Sequence, residues 1–266
     1  MDAGVTLGAV QGPSSAVASP RVSAEAIAAS LADGVAATLT SARDTVASIA
    51  ESLQELRPRL RGWLHLAMVP VVIASIVTLS LQVPLGGATG FAVGVYGVTA
   101  LLVFTISAVY HRWGWPSRHR SWWQRADHSA IFLFIAGTAT PVTVVAVDAP
   151  WSLILLTGLW GGAAYGVIRV WRHGVRSHLG PLYAGLGWAG VLVSAQFLSV
   201  AGGTAFTLLL VGGICYSVGA WASFKQWPNP WPRTFGYHEV FHVCTVVAAA
   251  CQFLAIVIAL PQPVSG

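Results

Sequence analysis

Residues 88–110 read ATGFAVGVYGVTALLVFTISAVY, and no Asp, Glu, Lys or Arg interrupts them. A hydrocarbon core of about 30 Å needs roughly 20 apolar residues of helix, so this stretch predicts a membrane-spanning helix. A transmembrane β-barrel would instead show segments of about 10 residues with alternating polarity. Working outward, six further runs have the same continuous character, at approximately 64–82, 129–147, 151–170, 182–200, 204–224 and 239–260. The prediction is an all-α polytopic membrane protein, a seven-transmembrane-helix bundle. Composition agrees, with 55% hydrophobic and only 9% charged residues and a mean hydropathy of +0.69. Soluble domains carry roughly 25% charged residues, and disorder needs low hydrophobicity with high charge, so both classes are excluded.

The loops give the orientation. The connections near 83–87, 148–150 and 201–203 hold no Lys or Arg. The alternate ones hold Arg57/Arg59/Arg61, Arg112/Arg118/Arg120/Arg125, Arg169/Arg172/Arg176 and Lys225/Arg233. By the positive-inside rule that side is cytoplasmic, which puts the N-terminus inside and the C-terminus outside in a multi-pass membrane protein. Trp113, Trp115, Trp122, Trp123, Trp171, Trp227 and Trp231 cluster in the same connections as an interfacial belt. The pI of about 9.5 therefore reports topology, and no nucleic-acid partner is expected. Cys215, Cys244 and Cys251 lie inside apolar runs without a CxxC pattern, and read as buried small hydrophobes. The glycine stripes Gly86/Gly90/Gly94 and Gly158/Gly162/Gly166 are expected to serve packing within the chain.

The domain plan has four parts. Residues 1–20, rich in Gly, Ser, Pro and Ala, are expected to be disordered, and no signal peptide is recognisable in them. Residues 21–56 form an amphipathic cytoplasmic helix, with Leu39, Ala42, Val46, Ile49, Leu53 and Leu56 on one seam. Residues 57–261 are the transmembrane domain, and 262–266 a short outer tail. The sequence assigns no oligomeric state.

Ionisable side chains inside an apolar bundle are costly, so each is a functional candidate. His119, His173 and His178 fall in basic loops, and His65 beside the first span reads as a cap or interfacial residue. With the predicted topology, Ser107 and His111 end the second span, Asp127 and His128 begin the third, and His238, Glu239 and His242 begin the seventh. All occupy one depth in the inner leaflet. Ser107 and His111 are i,i+4, as are His238 and His242, so each pair shares a helical face. Two imidazoles one turn apart and a third from a facing helix match three-histidine Zn²⁺ ligation with an open fourth position. Asp127 would act on a water or orient a ligand, and Ser107 would hydrogen-bond water or substrate. The string His238-Glu-Val-Phe-His242 also fits H-E-x-x-H, but no His, Asp or Glu follows to complete a zincin. The alternative is a polar network that only locks three helices together.

Ser107-Ala-Val-Tyr-His111, Arg125-Ala-Asp127-His128 with the run to Pro141, and Phe235-Gly-Tyr-His238-Glu-Val-Phe-His242 together resemble the hemolysin III family, over about residues 57–260. This is the bacterial branch of the progestin and adipoQ receptors, which include the adiponectin receptors. The resemblance implies a seven-helix, N-inside bundle with intramembrane Zn²⁺. His111, His238 and His242 match the family's metal ligands, and Asp127 and Ser107 its polar partners. His128 matches no ligand position and stays a neighbour of the site. Ala139 stands where the family usually has Tyr, and the first 56 residues have no counterpart. Distant relatives include alkaline ceramidases, which implies a metal-dependent hydrolase acting on a membrane lipid amide or ester in the inner leaflet. A receptor-like or regulatory protein with structural zinc is the second expectation. A pore-forming cytolysin ranks last, because a pore needs polarity along whole spans.

Overall fold

A computed structural model describes residues 23–55, 58–83, 86–175, 179–190 and 194–260. The expectations for 1–20 and 262–266, and for Arg57, Arg176 and His178, lie outside the described residues. The helices are α1 (Ala24–Glu55), α2 (Trp63–Gln82), α3 (Gly87–Arg112), α4 (Ser117–Ala146), α5 (Trp151–His173), α6 (Gly180–Trp188), α7 (Ser194–Lys225) and α8 (Tyr237–Ala259). The chain divides into two units, one containing α1 and the other α2–α8. In α1, the Ser23 hydroxyl accepts the Ala26 N–H at 3.2 Å and caps the first turn. Its apolar residues Ile27, Leu31, Val35, Leu39, Val46 and Ile49 are exposed.

Among the described residues, six helices of the second unit, α2, α3, α4, α5, α7 and α8, are long and apolar enough to cross a membrane. The protein is therefore a polytopic helical membrane protein. In lipid every backbone amide needs an internal partner, which is why these runs fold as helices. The region expected to hold a span at 182–200 is divided between α6 and the start of α7. Within α7, Gly202 is non-helical, with φ 81° and ψ 171°, a conformation open to glycine. Trp188 Nε1 donates to Ser217 Oγ at 3.1 Å, and the same indole lies 3.6 Å from where a Cβ on Gly213 would sit. Were α7 straight, Ser194 and Ser217 would be roughly 35 Å apart. The six residues from Trp188 to Ser194 reach at most roughly 20 Å. The chain therefore bends near Gly202.

The main apolar core gathers Leu79, Tyr96, Phe104, Phe134, Phe197 and Ile256 from α2, α3, α4, α7 and α8. Phe132, Ala163, Val170 and Leu179 form a second cluster toward α5 and α6. Lipid tails offer no hydrophobic contrast with such a core, so close backbone approach and dispersion hold the helices together. The two glycine stripes contribute unevenly. A Cβ on Gly162 would meet Leu186 at 2.6 Å and one on Gly166 would meet Phe132 at 2.5 Å, whereas Gly86, Gly94 and Gly158 face open space. The tightest contact is at Gly137, outside both stripes, where a Cβ would fall 1.9 Å from Thr99 Oγ1. Thr99 is held in turn by its bonds to the Val95 and Tyr96 carbonyls. Gly137→Ala is expected to cost about 1–3 kcal/mol through overpacking at the α3–α4 crossing. Thermal midpoints in detergent micelles, set beside the open position Gly158→Ala, check this, and equal midpoints would refute it.

One end of the bundle is tied together by its connections. The N–H groups of Arg59 and Leu60 donate to the carbonyls of Arg233 and Thr234 at 3.0 and 3.2 Å. The Arg112 guanidinium lies 4.2 Å from the Trp63 ring, and Arg125 lies 5.9 Å from Trp171. Trp115 stacks on Trp123 at 4.8 Å. The start of α2, the end of α3, the early turns of α4, the end of α5 and the start of α8 thus share this end, along with Arg and Trp.

Candidate metal centre

That same end carries the buried ionisable groups. His111 is in the last turn of α3, and Ser107 lies one turn earlier on the same face; both are buried. His238 and His242 occupy the first two turns of α8, where the spacing of four aims both imidazoles inward. One nitrogen from each of His111, His238 and His242 lies within 4.8 Å of the others. His238 Nε2 and His111 Nε2 are 3.2 Å apart. Two nitrogens held tetrahedrally at about 2.0–2.1 Å from zinc would be separated by roughly 3.3–3.4 Å. The donor set and its spacing fit such an ion, and neutral imidazoles, which are borderline in softness, suit zinc as they do copper, iron and nickel.

The neighbours are also in place. Asp127, buried in α4, has Oδ2 at 3.8 Å from His111 Nε2 and accepts a hydrogen bond from Ser107. His128 Nδ1 lies 3.8 Å from the same oxygen, but its N–H donates to the Gln124 carbonyl at 2.9 Å. The backbone carbonyl of His128 accepts the Tyr183 hydroxyl at 3.0 Å, which links α4 to α6. All five sequence-predicted residues therefore meet at one place, with His128 beside them.

Three features were not legible from the motif. Glu239, the acid of H-E-x-x-H, is taken up by partners other than the imidazoles. Its carboxylate pairs with Arg61 Nε and accepts the Gly236 N–H at 2.8 Å, closing the first turn of α8. Gly62, with φ 79°, packs so closely that a Cβ there would lie 2.8 Å from His111 Cβ. His65 is no surface cap. It is 3% exposed, and its ring stacks on His242 with centroids 3.8 Å apart. Nothing in its spacing relative to the motifs signals this, because α2 and α8 meet only in the folded bundle.

Fold and site together define a polytopic helical membrane protein with a tri-histidine cluster, buried at His111 and His242 and partly buried at His238, at one end of its bundle. The sequence profile described as Haemolysin-III related matches residues 53–253, and the chain belongs to that family. Among its relatives, "Hemolysin-3" of Bacillus cereus is 31% identical over 166 residues, which is 61% of this chain and 72% of the relative. "Hemolysin-3 homolog" of Bacillus subtilis (strain 168) is 26% identical over 166 residues, 61% of this chain and 74% of that one.

Proposed function

We propose that this haemolysin-III related protein crosses the bacterial plasma membrane seven times and hydrolyses a lipid amide or ester at a zinc centre in the cytoplasmic leaflet. The carrying observation is the convergence of His111, His238 and His242 nitrogens within 4.8 Å, beside Asp127. The break in α7 at Gly202 supports counting the runs at 182–200 and 204–224 as separate crossings. The Arg-rich, Trp-rich end that holds the cluster supports a cytoplasmic placement.

His111, His238 and His242 would hold a zinc ion, which would supply Lewis-acid chemistry when bound. The chain does the rest. Asp127 Oδ2, 3.8 Å from His111 Nε2, is the proton acceptor assigned to a water at the cluster. Ser107 Oγ donates to that carboxylate and holds it in place. The apolar walls exclude bulk water, which strengthens each of these contacts. Membrane lipid is the substrate class, since the cluster lies at the end of helices bathed in acyl chains.

One observation favours the second reading, a regulatory protein with structural zinc. The cavity of about 120 Å³ between α2, α3 and α8 is lined by residues such as Met68, Val72, Tyr96, Phe104 and Phe253, and not by Asp127 or the three histidines. Incubation of the purified protein with labelled ceramide and phospholipid in mixed micelles decides between them. The hydrolase reading expects product from the unaltered chain and a loss of about 10²–10⁴-fold in Asp127→Asn. Zinc without turnover on either lipid supports the structural role.

A further inference from the structure

We propose that His65 is a positioning residue for the metal centre, fixing the plane of the His242 imidazole by ring stacking rather than contributing a ligand or a hydrogen bond. The inference rests on the tri-histidine reading above. The two rings are nearly parallel, 5° apart with centroids at 3.8 Å. Behind His65 stands Phe104, edge-on at 5.0 Å and 82°, and Phe104 in turn meets Phe134 edge-on at 6.1 Å. A column of rings therefore runs from the metal cluster through α2 and α3 to the α4 core.

The need for such a column is physical. The torsion that turns an imidazole about its Cβ–Cγ bond has a broad, shallow profile, so a ligating ring needs an external contact to hold its plane. For many metal-bound histidines that contact is a carboxylate or carbonyl on the second nitrogen. Asp127 Oδ2 lies 3.8 Å from His111 Nε2, the nitrogen that also faces His238 Nε2. His242 is addressed on its face instead, by His65.

The nitrogens of His65 identify which part of the side chain is used. Both Nδ1 and Nε2 are buried without a hydrogen-bond partner among the described residues. An unsatisfied buried polar atom is destabilising, so the ring is retained despite its nitrogens, for its flat face. Nor does His65 belong to the set whose nitrogens lie mutually within 4.8 Å. A phenyl ring would supply the same face. Phenylalanine at this position is therefore expected to be tolerated, an outcome that a fourth-ligand role forbids.

The test uses the full chain in detergent micelles with Co²⁺ as a spectroscopic probe, reading the visible absorption bands and the affinity in competition with a chelator. His65→Ala is expected to weaken Co²⁺ binding about 10–100-fold, the range for lost orienting partners, and to shift the bands. His65→Leu, which fills the volume without a flat face, is expected to do the same and replaces the alanine variant if that fails to fold. His65→Phe is expected to leave affinity and bands unchanged. Unaltered binding in both the alanine and leucine variants overturns the stacking role. A phenylalanine variant as impaired as alanine also overturns it, by assigning the effect to the nitrogens. In both cases the metal centre itself survives. If the unaltered chain takes up no Co²⁺, the metal reading fails and the positioning role falls with it.

Discussion

Replacing His242 with alanine is expected to lower the zinc content of the purified protein from about one ion per chain to background. The expectation follows from the number of donors. Three neutral imidazoles are the whole described ligand set, and removing one leaves two, His111 and His238, with their Nε2 atoms 3.2 Å apart. His242 is also a large buried side chain, 1% exposed, so its truncation opens a hole beside His65. Large-to-small core substitutions of this kind cost about 2–5 kcal/mol, and metal loss could then be mistaken for unfolding. His242→Phe separates the two effects. It keeps the ring volume and the stack on His65 but cannot ligate, so it should be as metal-free as alanine while melting closer to the unaltered chain. His111→Ala should lose metal equally. Elemental analysis of detergent-purified protein reads the result, and full zinc occupancy in His242→Phe would eliminate the site.

Arg61→Ala is expected to destabilise the bundle by about 3–5 kcal/mol, because it strands a charge. Glu239 is 1% exposed, and its carboxylate is paired with the Arg61 guanidinium across 178 residues of sequence. Without Arg61 only the Gly236 N–H remains as a described partner. The loss should reach the metal cluster, since Glu239 sits between His238 and His242 on the first turns of α8. The double variant Arg61→Leu/Glu239→Leu should be less destabilised than Arg61→Ala, because it removes the buried charge as well as its partner. Thermal or denaturant unfolding in micelles gives both values. A midpoint for Arg61→Ala within experimental error of the unaltered chain would show that the carboxylate finds another partner. It would also reopen the H-E-x-x-H acid as a group free to act at the metal.

The sequence and the structure divide the work along a physical line. Local composition was enough for most of the helices, because a lipid-spanning run must satisfy its own backbone and therefore declares itself by length and polarity. It was not enough for the span expected at 182–200, which is divided between α6 and α7. The span expected at 64–82 is α2, Trp63–Gln82, and that at 239–260 overlaps α8 almost completely. The candidate ligands were legible for a related reason. Ionisable residues survive at the ends of apolar helices only where something uses them, and i,i+4 spacing puts Ser107 with His111 and His238 with His242. Residues whose role depends on a neighbour far along the chain could not be read this way. Glu239 fits a catalytic motif letter for letter, yet its direction was decided by Arg61. His65 reads as an interfacial residue until α8 brings His242 onto its face. Gly62 shows its meaning only when α3 arrives, and Gly202 only when Trp188 meets Ser217. Periodicity reports which face of a helix is apolar; which helix that face will meet is set by packing of the whole bundle, and only the tertiary structure contains it.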